Sequence, residues 1–277
     1  MLGYRQLRQN VRLSLALAGA GLVCGCSGTV HQLPQISREN LNLAQAEVQN
    51  AGGPPARHGI SKEEAFAIKD SVVRRIGPAA DQLCREMNTG ICEWDIRLSS
   101  NGSMNAYAAE HGRIVVFRGI FETAENEEEV AMVVAHEMGH QIANHMARTE
   151  RNRIAGQVIG AVLLGVAGGL ASRGSRDSAF ITQTAASVGS DIGGYVGRKI
   201  FSKEQEREAD YLSAVILYRA GVDLDKARGF QVKMARQSGQ METGILDGHP
   251  AGPERIAAWD RAVQEIRASN GRLPQRQ

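Results

Sequence analysis

The sequence is poor in aromatic residues, at 5% Phe, Trp and Tyr, and its lysines and arginines are spread along the chain with no dense basic patch. A nucleic-acid binder needs such a patch, so that class is excluded. No internal repeat is visible, and there is no large excess of charge of either sign. The formal net charge is +2. It falls to −1 if Arg5, Arg8 and Arg12 belong to a leader that is removed. Cysteine is scarce, with four residues. What is present is an apolar content of 43%, enough to bury a real core. The length suits one catalytic domain with extra segments.

Residues 1–25 read as an export leader. Arg5, Arg8 and Arg12 precede a small apolar run that is too short to cross a bilayer as a helix. The run ends in Val23-Cys24-Gly25-Cys26-Ser27, which resembles a bacterial lipobox with Cys26 as the acylated residue. Ser27 after that cysteine is the residue type associated with outer-membrane sorting. A plain secretory signal is the alternative. Export leaves Cys84 and Cys92 in an oxidising compartment, and the short loop between them favours a disulfide over a metal pair.

Residues 26–60, rich in Gln, Asn, Pro and Gly, are expected to be a flexible tether, and residues 61–277 the catalytic domain. Ser61 to Glu64 forms a capping box that opens an amphipathic helix. Glu93 to Leu98 alternates like a strand, and Arg113, Ile114, Val115, Val116 and Phe117 form a second strand. Asn126 with Glu129 is expected to close a capping box at the head of a helix running to about Arg148. Residues 154–171 are apolar and Gly-rich, and read either as membrane-associating or as buried beside the cleft. Residues 172–190 read as a polar loop. Further helices are expected over 203–220, 224–237 and 252–269.

His136-Glu137-Met138-Gly139-His140 carries the chemistry. Two histidines four apart share one helical face, so both imidazoles can reach one ion. Glu137 beside them can activate a metal-bound water and pass its proton to a leaving amine. A third ligand is needed. The positions three and six residues after His140 are Ala143 and Met146, which rejects the metzincin pattern, and His145 is one residue out of place and reads instead as a supporting or structural histidine. Glu206 is the preferred third ligand. Asp210, one helical turn on, is placed to accept a hydrogen bond from a ligand imidazole. Glu204 and Glu208 are its rivals.

His136 to His140 followed by Glu206 and Asp210 resembles the gluzincin-type zinc metalloprotease family that includes HtpX, the CAAX prenyl proteases, BepA and LoiP. Asn105 to Ala108, Gly112 and Arg113 to Phe117 resemble that family's segment before the zinc helix. His249-Pro250 with Arg255 resembles its His-Pro element. The lipobox makes LoiP-like periplasmic lipoproteins the nearest kind. The resemblance implies an α+β fold: a mainly helical zincin-type domain with a small β-sheet and an edge strand before the zinc-binding helix. It implies one Zn2+ per chain, and Arg113 to Phe117 as the edge strand that binds extended substrate. It also implies a role for His249 in gating the metal or stabilising the transition state, unless His249 merely precedes the next helix. The expected function is endopeptidase cleavage of misfolded or unfolded envelope proteins, from a lipid anchor on the periplasmic side of the outer membrane. The rivals are a metal-containing, chaperone-like binding lipoprotein and a zinc hydrolase acting on a non-peptide bond.

Overall fold

The computed structural model describes residues 29–52, 55–88, 92–152, 154, 201–238, 244–246 and 249–276. The leader, Cys26, most of the apolar run at 154–171 and the loop at 172–190 lie outside the described residues. The fold is α+β and mainly helical, as expected. Its elements are α1 (Arg38–Asn50), α2 (Lys62–Met87), β1 (Asp95–Ser99), β2 (Ala106–Ala108), β3 (Arg113–Phe117), α3 (Arg118–Thr123) and α4 (Glu127–Ile142). After these come α5 (Lys203–Arg219), α6 (Leu224–Ser238), a hairpin of β4 (Gly244–Leu246) and β5 (His249–Ala251), and α7 (Pro253–Ser269). No described helix is long and apolar enough to cross a membrane.

Local chemistry explains most of these boundaries. Ser61 accepts from the Glu64 N–H and the Glu64 side chain reaches back, so the capping box opens α2. Asn126 caps α4 by accepting from the Glu129 N–H. The Glu129 carboxylate does not complete the expected box. It turns inward, accepting from the Glu125 N–H and pairing with buried Lys233 at 2.7 Å.

Three expectations are corrected. The segment read as a flexible tether is folded over 29–52. Ser37 caps α1, whose Ala44 and Val48 are buried, and His31 is almost fully enclosed. Its polar composition hides two apolar side chains at helical spacing, enough to seat a helix on an existing surface. Secondly, Arg113–Phe117 is not an edge. The sheet order is β1-β3-β2, with β3 parallel to β1 and antiparallel to β2. A β-branched run reveals a strand but not its place in the sheet, and the three residues of β2 are too short to announce themselves. The edge beside the site is β2. Thirdly, α4 stops at Ile142. Asn144 takes φ of 54°, and helix resumes over residues 145–152. The break redirects His145.

α4 forms the centre of the molecule, packed against α2, α5 and α6. It crosses α5 at a glycine. A Cβ on Gly139 would lie 2.8 Å from the Ala209 carbonyl oxygen and 3.2 Å from its Cα. Only glycine allows so close a crossing, and it brings the acidic side chains of α5 onto the histidine face of α4.

Candidate metal centre

The α4–α5 crossing assembles four potential ligands: His136, His140, Glu206 and His249, all buried, with donor atoms within 4.8 Å of one another. His136 Nε2 is 3.0 Å from His140 Nε2 and 3.3 Å from Glu206 Oε2. His140 Nε2 is 3.3 Å from Glu206 Oε1. His249 Nδ1, delivered by β5, lies 3.4 Å from His136 Nε2 and 3.0 Å from Glu206 Oε1. A tetrahedral ion with ligands at about 2.0–2.1 Å separates them by roughly 3.3 Å. The observed spacings of 3.0–3.4 Å fall around that value, so the donor set fits zinc.

Hydrogen bonding fixes which nitrogens face the cluster. Asp210 Oδ1 accepts from His136 Nδ1 at 2.9 Å, so His136 presents the lone pair of Nε2. His140 Nδ1 is engaged by His145 Nδ1 at 2.9 Å, which leaves His140 Nε2 facing the cluster too. Two ring nitrogens at 3.0 Å and a carboxylate converge on one point, an arrangement that a single positive charge, as a metal ion or a proton, would satisfy. Phe201 stacks on His140, with centroids 4.0 Å apart, and holds the ring from the other side.

The local field has the same sense. Burial and Arg255 oppose protonation of His136, yet Asp210 and Glu206 outweigh them and push it up to about 9. Burial holds His140 well below the usual histidine value. Burial raises Asp210, but Arg255 and His136 overcome this and bring it down to about 2. Burial likewise works against the Glu206 carboxylate, and His249, Arg255 and His140 more than compensate. Arg255 is the buried counter-charge, donating to Asp210 at 2.7 and 2.8 Å and lying 2.8 Å from Glu206 Oε2.

Glu137 lies next to the cluster and is buried. Its Oε1 is 3.5 Å from His249 Nε2, and its Oε2 has no hydrogen-bond partner among the described residues. An unpartnered carboxylate oxygen beside a metal cluster is available to a water or an incoming amide. An apolar pocket opens beside it, lined by Met104, Ala106, Ile120, Met132, Val133, Phe230 and Met234.

Of the residues singled out from the sequence, His136, Glu137, His140, Glu206, Asp210 and His249 come together here. Arg113, Ile114, Val115, Val116 and Phe117 lie in the central strand instead. Cys84 and Cys92, at the far end of α2, have sulfur atoms 2.06 Å apart. Glu208, a rival for the third ligand, points to His145 and His31 rather than to the cluster. Sequence reasoning gave no role to His31 or Phe201 and none of its own to Arg255. The proximity of Arg255 to His249 in the chain was the one available signal.

The family model for Peptidase family M48 matches residues 70–263. Among individual relatives, the mitochondrial metalloendopeptidase OMA1 of Arabidopsis thaliana is 27% identical over 162 residues, covering 58% of this chain and 30% of that protein. The beta-barrel assembly-enhancing protease of Yersinia pestis is 29% identical over 237 residues, covering 76% of this chain and 46% of that protein. The metalloprotease LoiP of Escherichia coli K12 is 24% identical over 252 residues, covering 88% and 92%. The chain thus spans less than half the length of the first two.

Proposed function

The chain belongs to peptidase family M48, and from that premise we propose that it is a zinc-dependent endopeptidase. The observation that carries the reading is the buried His136–His140–Glu206 donor set with the unpartnered Glu137 carboxylate beside it. Bound zinc would polarise a substrate carbonyl and acidify a water. Glu137 would take the proton from that water and deliver it to the leaving amine. Asp210 and Arg255 would hold His136 and Glu206 in place.

The proposed substrates are misfolded or unfolded envelope proteins, bound in extended form. The free edge of β2 supports main-chain pairing, and the pocket beyond Glu137 suits an apolar side chain next to the scissile bond. The lipobox at Cys26 supports a lipid anchor and an outer-membrane, periplasmic location. A Cys84–Cys92 disulfide suits that oxidising compartment.

The test is cleavage of a permanently unfolded protein by the purified chain, with and without a chelator. Glu137→Gln is expected to lower turnover by about 10²–10⁴-fold. Chelation should abolish activity and zinc should restore it. Undiminished cleavage by the Glu137→Gln variant would overturn the mechanism. Glu206→Gln should lower zinc content.

His249 supports a second reading. Counted as a ligand, it closes the cluster with four protein donors, which is the pattern of a structural site. A chain that binds unfolded protein and zinc but does not cleave, even when His249 is removed, would be a metal-containing binding module.

A further inference from the structure

Glu208 is buried and is contacted by four hydrogen-bonding groups, although it is not part of the donor cluster. One set comes from the amino-terminal strap, residues 29–33. The Val30 N–H donates to it at 2.7 Å, the His31 N–H at 2.9 Å, and His31 Nδ1 lies at 2.8 Å, all across 177 or more residues of chain. The other comes from His145, whose Nε2 is 3.0 Å from Glu208 Oε2. The strap is also held elsewhere. Arg207 donates to the Pro34 carbonyl at 2.7 Å, and the Gln32 N–H donates to the Gln275 carbonyl at 2.9 Å.

The chemistry of these contacts has one consistent direction. The backbone N–H groups can only donate, so Glu208 accepts. Both oxygens accept from the Val30 N–H, at 2.7 and 3.0 Å, and an ionised carboxylate has no proton to give, so Oε2 also accepts from His145, which places the His145 proton on Nε2. His145 Nδ1 is left as an acceptor, so His140 donates to it from Nδ1. That leaves the lone pair of His140 on Nε2, facing His136 and Glu206.

We propose that the amino-terminal strap is a working part of the metal centre. His31 and the Val30 and His31 backbone anchor Glu208, and Glu208 and His145 are positioning residues that fix the tautomer and orientation of ligand His140. This rests on the metallopeptidase reading above. Asp210 does the same for His136 directly, so both histidine ligands are oriented from α5, one by direct contact and one through His145 from a carboxylate that the strap anchors.

The experiment is zinc affinity of the full chain, measured by competition with a chromophoric chelator, alongside the visible spectrum of the cobalt-substituted protein. Glu208→Gln keeps shape but puts a donor amide where an acceptor is needed. It is expected to weaken zinc binding by about 10–100-fold. His31→Phe keeps an aromatic ring and removes the Nδ1 contact with Glu208, with an expected loss of roughly 2–10-fold. The double variant should be no weaker than Glu208→Gln within about twofold, because both act along one path. Both single variants should shift the cobalt spectrum. A purely structural role would lower the melting temperature of the zinc-free chain and leave affinity and spectrum alone. Unchanged affinity in folded Glu208→Gln, or losses that add, overturns the relay while leaving the metallopeptidase reading intact. A wild-type chain that binds no zinc overturns both. If Glu208→Gln does not fold, His31→Phe decides the matter by the same two readouts.

Discussion

His249 Nδ1 lies 3.0 Å from Glu206 and 3.4 Å from His136, in the place where a hydrolytic metal site keeps a water. Its removal should therefore open the site rather than empty it. His249→Ala is expected to retain one zinc per chain on three ligands and to cleave an unfolded protein faster than wild type. A fall in kcat at unchanged KM would instead make His249 a stabiliser of the transition state. The residues that meet around it differ in how visible they are along the chain. His136, Glu137 and His140 share one helical turn, and Glu206 and Asp210 share another, so spacing alone sets each group on one face. Arg255 and Glu208 have no such signature. Their partners lie 45 and 177 residues away, and a buried charge looks the same in a sequence as a solvated one. His145 was legible as a supporting or structural histidine, but its partner was not. The direction of His145 follows from the left-handed Asn144, which no periodicity foretells.

Helix boundaries were the most legible features among the elements, because caps are local. Ser61 and Asn126 open helices where side-chain chemistry places them. Strand order was not legible. Arg113–Phe117 alternates buried and part-exposed residues, as either an edge or a central strand would, and Ala106–Ala108, with Tyr107 its one strand-favouring residue, is too short to be marked as the true edge. The crossing of α4 over α5 at Gly139 sets the spacing on which the ligand cluster depends. Gly139→Val would push a branched side chain into the Ala209 backbone. The expected cost is about 1–3 kcal/mol of stability, read as a lower denaturant midpoint, with weaker zinc binding because α5 carries Glu206. A variant with unchanged midpoint and zinc affinity would mean that the helices can part without loss.

The described amino-terminal segment packs α1 against α6 and α7 and reaches α5 through residues 30–34. α1 is seated by Ala44 and Val48 and by a clamp in which Arg228 donates to Glu47 at 2.7 Å through two nitrogens and to Asp260 at 2.9 Å. The Arg228 hydrogen bond holds Glu47 below its ordinary value of 4.5. A depressed carboxyl stabilises the fold at pH above that ordinary value, and the effect is lost as pH falls through the lower folded value. Acid should thus loosen α1. Arg228→Met should do the same at neutral pH, seen as faster amide exchange at Ala44 and Val48 with an unchanged core melt. Unaltered exchange would mean that the apolar face alone seats the helix. α4, at the centre, has the opposite character: of its residues, only Glu127, Glu128 and Gln141 are not buried. It cannot fray without opening the core, and it holds both histidine ligands and Glu137. A heated sample should therefore divide into intact and inert molecules with no half-competent class between, so the activity left after heating counts the surviving folds.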